Sequence, residues 1–289
     1  NGVKLAAEHI AQIKGEEIPM GLTQASVNRV AFVSREPIGV VASVSAFNHP
    51  LNLTIHQTVT AFAAGCPVII KPASTTPLSC LNFIEILKEA GMPEGWCQAA
   101  VCDREAATYL VTDKRINYFS FIGSASVGWN LKSRLAPGTR CALEHGGVAP
   151  VIVEPDADLT ELIPALAKGG FYHAGQVCVS VQKVFVHESI CENVAQLLAN
   201  EAKKLIVGDP LDEKTEVGPL ITPQENDRVE AWVNEAIEKG AKVLYGGKKI
   251  SETCFEPTVL LNPPTDAKVS TDEIFGPVVC VYSYTNRLE

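Results

Sequence analysis

Four side chains of this sequence could carry chemistry: a cysteine, an amide, a lysine and a carboxylate. Cys178 lies between a glycine-containing turn and a β-like run in the segment FYHAGQVCVSVQKVFV, residues 171–186. Asn48, Lys71 and Glu144 each come at the end of an apolar run that is typical of a strand. A cysteine thiolate is a nucleophile, and polar side chains at the ends of parallel strands can meet in one crevice. Together these residues predict a functional site, provided that the chain folds around a parallel sheet.

Each of the four residues also has a purely structural explanation. Free cysteines are among the most buried residue types, so Cys178 could be an inert core residue. Asn48 could cap a helix or form a turn, and Lys71 could extend its ammonium group into solvent. Glu144 could be a solvated carboxylate beside a glycine-rich turn. Only their co-occurrence favours a functional site.

The segments around these residues alternate between strand and helix patterns. The predicted strands include CPVIIKPAS, INYFSFIGS and RCALEHGG, and the predicted helices include HQTVTAFAAG and ASVGWNLKSRLA. Such alternation indicates an α/β fold with a Rossmann-like parallel sheet that is covered by helices on both faces. The pattern restarts after residues 144–147, so we expect a second α/β domain there.

Two further local structures can be predicted. The segment LAAEHIAQIKGEEI, residues 5–18, predicts one amphipathic helix. In TPLSCLNFIEILKEAGMP, Thr76 is the predicted N-cap, Pro77 the first helical residue and Gly91 the stop signal.

The composition excludes several classes of function. The chain has 289 residues and a formal net charge of -9, whereas nucleic acids and anionic membranes bind clustered Lys and Arg. No apolar run reaches the roughly 20 residues that span a bilayer, and the sequence does not open with a signal-peptide pattern. The nine cysteines form no CxxC pair, so we expect reduced thiols, no metal site and a cytoplasmic protein.

No phosphate-binding motif identifies a nucleotide site. A GxGxxG pattern is absent, and GSASVGWN has Trp129 and Asn130 where a phosphate loop requires Lys and Ser or Thr. The helix that begins near Ser124 could still offer its N-terminus to a phosphate group. The alternative is a simple strand-to-helix turn.

Six segments resemble the successive signature segments of the aldehyde dehydrogenase superfamily, in order and at appropriate separations. They are REPIGVVASVSAFNHP, VIIKPASTTP, FIGSASVG, LEHGG, FYHAGQVC and DEIFGPV. The resemblance extends from about Asn28 to the end of the chain. It implies the aldehyde dehydrogenase fold, in a chain that lacks the N-terminal part and the C-terminal end of the family pattern.

The resemblance implies oxidation of an aldehyde to a carboxylic acid with NAD(P)+. Cys178 would form a thiohemiacetal and then a thioester, while the Asn48 amide and the Cys178 N–H would stabilise the oxyanion. Glu144 would activate the water that hydrolyses the thioester. Relatives that pass the acyl group to coenzyme A generally lack this glutamate. Its presence therefore favours hydrolysis, and a coenzyme A-acylating enzyme is the alternative.

The same resemblance assigns residues to the cofactor. Lys71 would contact the adenine ribose, and Gly123 and Ser124 would lie near the pyrophosphate. Glu273 and Phe275 would hold the nicotinamide ribose and ring.

Ser74 bears on the choice between NAD and NADP. At this position NAD-preferring relatives often have a glutamate, whose charge would repel a 2′-phosphate. A neutral serine removes that repulsion and predicts that NADP is accepted, with NAD as the alternative.

Three residues depart from the family pattern. Phe47 replaces a common tryptophan, His145 a usual leucine and His173 a common asparagine. The histidines could tune the neighbouring Glu144 and Cys178, or they could simply pack against their surroundings.

The predicted organisation is an NAD(P)-binding domain over residues 1–145, followed by a catalytic domain over residues 146–289 that is incomplete at its C-terminus. By resemblance, a strand near residues 28–37 implies assembly into a homodimer or homotetramer, with a small aldehyde as the other partner. Two rival functions remain open. One is a hydrolase that uses Cys178 and His173, and the other is an inactive structural or binding fragment.

Overall fold

The computed structural model describes residues 1–286, so positions 287–289 of the predicted catalytic domain lie outside the described residues. The chain forms two compact units, one from Asn1 to His145 and one that begins at Gly146. Each unit contains a five-stranded sheet and several helices, which confirms the α/β class. Within residues 1–286, no helix combines the length and the apolar character needed to cross a membrane.

The first unit is built on a parallel sheet. Its strands are β1 (Glu16–Ile18), β2 (Ala31–Val33), β3 (Val40–Val44), β4 (Val68–Lys71), β5 (Cys97–Ala99), β6 (Ile116–Ile122) and β7 (Arg140–Glu144). Its helices are α1 (Gly2–Ile10), α2 (Pro50–Ala63), α3 (Leu78–Glu89), α4 (Arg104–Thr112) and α5 (Ala125–Lys132). The main sheet has the order β5-β4-β3-β6-β7 with all neighbours parallel, so every strand of it ends at the same edge. The strand order reverses between β3 and β6, where open α/β sheets bind their ligands.

Hydrophobic residues of β3 and its neighbours fill both faces of this sheet. Val41 belongs to a core cluster with Ile70 of β4 and Ile84 of α3. The next residue, Ala42, points to the opposite face and belongs to a cluster with Phe119 of β6 and Val111 of α4. Burial on both faces explains the nearly continuous apolar sequences of β3 and β4.

Two of the predicted local structures were wrong in detail. Residues 16–18 are not helical, because β1 pairs in an antiparallel manner with β2 and forms a separate two-stranded sheet. Thr76 does not cap α3: Pro77 occupies the N-cap position, and the Thr76 hydroxyl instead donates a 3.3 Å hydrogen bond to the Phe47 carbonyl. The structure also contains α4, which the apolar pattern did not predict.

The second unit contains a mixed sheet. Its strands are β8 (Val151–Val153), β9 (Lys183–His187), β10 (Lys242–Tyr245), β11 (Thr258–Leu261) and β12 (Val278–Tyr284). Its helices are α6 (Leu159–Phe171), α7 (Glu188–Ala202), α8 (Pro223–Glu238) and α9 (Lys268–Thr271). The order is β10-β11-β12-β9-β8, in which the β10–β11 pair is antiparallel and the other pairs are parallel. The loop that carries Cys178 connects α6, through a short 3₁₀ turn, to the interior strand β9 of this sheet.

Candidate active site

The carboxyl edge of the first sheet carries most of the polar residues predicted for this unit. Strand β4 ends at Lys71 and strand β7 ends at Glu144, while Gly123 follows β6 directly. Asn48 lies in the connection between β3 and α2 and is only 7% exposed. Glu144 is exposed. This edge therefore gathers a cation, an amide and a carboxylate from neighbouring strands.

The buried side chain of Gln57 bridges strands β3 and β6, between which the strand order reverses. Gln57 of α2 donates hydrogen bonds of 3.1 Å from Nε2 to the carbonyl groups of Val44 in β3 and Ser120 in β6. Gln57 was not among the residues predicted from the sequence. Its signal was a set of polar residues, Thr54, Gln57 and Thr58, which share the buried side of α2.

Lys71 and Ser74 lie together at the end of β4. The Lys71 ammonium group donates a 3.2 Å hydrogen bond to the Ser74 hydroxyl. The pair offers a positive charge and a small neutral side chain at the same point of the sheet edge. A positive charge beside a neutral hydroxyl can bind an anionic group.

The turn from β6 into α5 presents backbone N–H groups. The Gly123 N–H donates to the Glu144 carbonyl at 3.1 Å, and a Cβ at Gly123 would lie 2.8 Å from the Phe121 ring. Ser124 occupies the N-cap position of α5, and its side chain makes no capping hydrogen bond. The first N–H groups of a helix can bind an anion when they are not capped by a side chain.

His145 packs against aromatic rings in the first unit. Its ring lies edge-on to Trp129, with centroids 5.4 Å apart, and edge-on to Phe121 at 6.0 Å. The Nε2 atom is buried and has no hydrogen-bond partner among the described residues. These contacts support the packing alternative for His145.

In the second unit, the turn before Cys178 has an unusual backbone. His173, Ala174 and Gly175 have φ angles of 55°, 55° and 69°, so three successive residues are left-handed. Each such conformation costs a non-glycine residue roughly 1–2 kcal/mol. At Gly175 a side chain would also overlap the Gly276 carbonyl oxygen. Packing against the loop at Gly276 thus fixes the turn that leads to the partly buried Cys178.

Glu273 is held by a glycine pair. The Gly147 N–H donates a 3.0 Å hydrogen bond to the Glu273 carboxylate, and a Cβ at Gly146 would overlap that carboxylate. Burial raises the pKa of this carboxyl group, while the Gly147 N–H and the charge of Arg228 act in the opposite direction.

A narrow cleft in the second unit brings together residues from the predicted site. It is lined by Glu273 and Phe275 and by Val177 and Ser180 of the Cys178 loop, but Cys178 itself does not line it and the cleft has no room for a water molecule. Phe275 has a φ of 48°, so its backbone is also left-handed. Within residues 1–286, no group of three or more His, Cys, Asp or Glu side chains is arranged to hold a metal ion.

The comparison with known proteins agrees with these features. The sequence model of the aldehyde dehydrogenase family matches residues 1–289. The chain belongs to the aldehyde dehydrogenase family. The family expected from the six signature segments is thus confirmed.

This aldehyde dehydrogenase chain is similar to 3-sulfolactaldehyde dehydrogenase from Priestia aryabhattai. The identity is 40% over 283 residues, which are 98% of this chain and 59% of that protein. Aldehyde dehydrogenase 21 from Physcomitrella patens, solved in complex with the reaction product succinate, has 39% identity and a TM-score of 0.93. That match covers 98% of this chain and 59% of the other.

A third similar protein is glyceraldehyde-3-phosphate dehydrogenase GapN from Methanocaldococcus jannaschii, which was solved as a complex with NADP. It has 38% identity and a TM-score of 0.91, and the match covers 98% of this aldehyde dehydrogenase chain and 61% of that one. The chain therefore spans 59–61% of the length of these three relatives.

Proposed function

We propose that the protein oxidises an aldehyde to a carboxylic acid with NADP+ or NAD+. The observation that carries this proposal is the position of Gly147, whose N–H holds the Glu273 carboxylate and which also lies beside the backbone carbonyl of Cys178. A carboxylate held next to the loop that carries a nucleophile suits a reaction in which a bound nicotinamide meets an enzyme-linked substrate. Family membership and the names of the relatives give independent support.

In the proposed reaction, the Cys178 thiolate adds to the aldehyde carbon and forms a thiohemiacetal. The Asn48 side-chain amide and the Cys178 N–H donate hydrogen bonds to the resulting oxyanion. When bound, the NAD(P)+ supplies the hydride acceptor that converts this adduct into a thioester. Glu144 removes a proton from water, which attacks the thioester carbonyl and releases the acid and the Cys178 thiolate.

Two features of the described residues support binding of a dinucleotide. We propose that Lys71 and Ser74 contact the adenine ribose and that Gly123 and Ser124 lie near the pyrophosphate, which the first N–H groups of α5 contact. Their fit rests on the Lys71–Ser74 hydrogen bond and on the N-terminus of α5, which lacks a side-chain cap. Glu273 would accept hydrogen bonds from the nicotinamide ribose.

Ser74 supports acceptance of NADP. A serine hydroxyl carries no charge that would repel a 2′-phosphate, and its neighbour Lys71 could bind that phosphate. Use of NAD as well is compatible with the same pair.

The remaining parts of the proposal concern organisation. We propose that residues 1–145 bind the cofactor, that residues 146–289 carry the nucleophile, and that residues near 28–37 take part in a homodimer or homotetramer. The last of these is supported by the exposure of Val30 (80%) and Phe32 (79%) beside the two-stranded sheet of β1 and β2. The cytoplasmic location stays a prediction.

The decisive experiment measures formation of reduced nicotinamide by the purified full-length protein, with a panel of aldehydes that differ in chain length and charge. Anionic aldehydes come first, because two relatives are named for 3-sulfolactaldehyde and glyceraldehyde-3-phosphate and a third was solved with succinate. We expect aldehyde-dependent reduction that Cys178→Ser abolishes.

Two results would replace this proposal. Hydrolysis of amides without nucleotide, dependent on Cys178 and His173, would establish the hydrolase alternative. Reduction that requires coenzyme A and yields an acyl-coenzyme A would establish an acylating enzyme.

A further inference from the structure

The buried side chain of Gln182 lies near two parts of the proposed site in the second unit. One is the loop that carries Cys178, and the other is the segment that carries Glu273. Gln182 follows Cys178 within the same loop, immediately before β9, and is only 4% exposed. It lines the same cleft as Glu273 and Phe275. A buried amide with no partner would destabilise this site, so the hydrogen bonds of Gln182 are informative.

The Gln182 side chain binds the backbone on both sides of Glu273. Its Nε2 donates hydrogen bonds of 2.8 Å to the Asp272 carbonyl and 3.1 Å to the Val269 carbonyl. Its Oε1 accepts a 2.7 Å hydrogen bond from the Ile274 N–H. Both amide N–H groups and the amide oxygen are thus used, and the residues before and after Glu273 are fixed by one side chain.

The backbone of Gln182 leads back to the glycine pair that holds the Glu273 carboxylate. The Gln182 N–H donates a 3.1 Å hydrogen bond to the Val148 carbonyl. Val148 follows Gly147, whose N–H donates to the Glu273 carboxylate at 3.0 Å. These bonds form a closed circuit through Gln182, the backbone around Glu273, the Glu273 carboxylate and the segment Gly147–Val148.

We propose that Gln182 is a positioning residue that fixes the Glu273 carboxylate relative to the loop carrying Cys178, and thereby sets affinity for the nicotinamide half of the dinucleotide. The inference rests on the proposed function, since it assumes that Glu273 binds the nicotinamide ribose. It assigns the effect to the polar amide of Gln182 rather than to its bulk.

Two substitutions separate the effect of the Gln182 hydrogen bonds from the effect of its side-chain volume. Gln182→Met keeps a side chain of similar length but removes all three side-chain hydrogen bonds. Gln182→Glu keeps an acceptor for the Ile274 N–H but places a carboxylate against two carbonyl oxygens. We expect the dissociation constant for NADP to rise roughly tenfold in Gln182→Met and further in Gln182→Glu, since a buried polar group loses its partners.

Asn226→Leu is the matched control. Asn226 is a fully buried amide of the same unit that donates 2.9 Å hydrogen bonds to the carbonyl groups of Ser251 and Glu252. Its substitution should lower the melting temperature but leave the dissociation constant for NADP within about twofold, because its partners lie in another loop.

Two measurements on the full-length protein test the proposal. In titrations followed by intrinsic fluorescence, the Gln182 variants should lose affinity for NADP but retain wild-type affinity for ADP, which lacks the nicotinamide half. In the cofactor-free protein, hydrogen exchange of the amides in residues 269–276 should be faster in the Gln182 variants than in Asn226→Leu.

The outcomes distinguish this inference from the proposed function. An active wild-type enzyme whose Gln182 variants bind NADP normally would overturn the inference alone. Equal losses of NADP and ADP affinity, or equal exchange in Asn226→Leu, would reduce Gln182 to a general stabilising residue and also overturn it. A wild-type protein that oxidises no aldehyde would overturn both.

Discussion

The Gly147 N–H donates a 3.0 Å hydrogen bond to the Glu273 carboxylate, although the two residues are 126 positions apart in the sequence. Burial raises the pKa of the same carboxyl group. Gly146 and Gly147 thus hold the Glu273 carboxylate in an environment that is partly shielded from water. Hydrogen bonds between this carboxylate and a ribose would be stronger there than in water. The proposed contact with the nicotinamide ribose uses this charge, although burying it is unfavourable for folding.

Glu273→Gln should therefore change stability and cofactor binding in opposite directions. The folded-state pKa lies above the usual value of 4.5, so the stabilising contribution of Glu273 is complete below that value and is lost as the pH rises through the raised pKa. We expect the wild type to lose stability relative to Glu273→Gln between acidic and neutral pH, as measured by urea unfolding. Affinity for NADP should fall roughly tenfold in the variant, because a charge-assisted hydrogen bond is lost. A constant difference in stability across this pH range would contradict the assignment.

Ser74→Glu should shift cofactor preference from NADP towards NAD. The new carboxylate would lie beside Lys71 and would repel a 2′-phosphate, and like-charge repulsion of this kind typically costs several kcal/mol. We expect kcat/KM for NADP to fall at least about a hundredfold, while kcat/KM for NAD changes little or rises. Ser74→Ala is the control, since it removes only the 3.2 Å hydrogen bond from Lys71. Equal effects of both substitutions on NADP would show that charge at this position does not select the cofactor.

Glu144→Gln should block the second half of the reaction. Without a general base, hydrolysis of the Cys178 thioester should slow by on the order of 10²–10⁴-fold, while the first reduction of NADP+ persists. Rapid-mixing experiments should then show a burst of reduced nicotinamide followed by slow turnover, and intact-mass measurement should detect the acylated enzyme. Loss of the burst itself would place Glu144 in the first half of the reaction.

The sequence predicted those parts of the fold that depend on local patterns. Strands β3 and β4 are buried or half-buried on both faces, so their sequences are nearly continuous apolar runs, and the polar residues that follow or end them could be recognised. Strand β1 could not, because its three residues become a strand only through pairing with β2. Residues such as Ile18 carry no local signal for that partner.

The hydrogen-bond circuit of Gln182 could not be predicted either. The Gln182 side chain forms hydrogen bonds with backbone groups of Val269, Asp272 and Ile274. Every residue type carries these backbone groups, so the sequence does not indicate which of them Gln182 contacts. The available signal was one glutamine inside an apolar run that precedes a buried strand. For His145, the sequence left tuning and packing open, and its ring contacts support packing.

Phe32→Glu should weaken self-association. The Phe32 side chain is 79% exposed on the β1–β2 sheet, and burial of such a ring in a subunit interface would contribute about 1.5–3 kcal/mol. We expect sedimentation velocity to show smaller species for the variant at concentrations where the wild type is assembled. Leu211→Glu is the control, because Leu211 is 90% exposed but lies outside this sheet. If Leu211→Glu dissociates the protein and Phe32→Glu does not, the predicted interface is wrong.

Gly146→Ala and Gly147→Ala should differ sharply, although they are neighbours. A Cβ at Gly146 would overlap the Glu273 carboxylate, whereas a Cβ at Gly147 would meet only the Cys178 carbonyl oxygen at 3.6 Å, an ordinary contact. Neither glycine has a positive φ, so alanine fits both backbone conformations. Gly146→Ala should therefore displace Glu273 and raise the dissociation constant for NADP roughly tenfold, with little effect on the melting temperature, because a flexible side chain can move aside. Gly147→Ala should bind NADP like the wild type, because alanine retains the N–H that donates to Glu273. Equal affinity of the two variants would show that the position of the Glu273 carboxylate does not control cofactor binding.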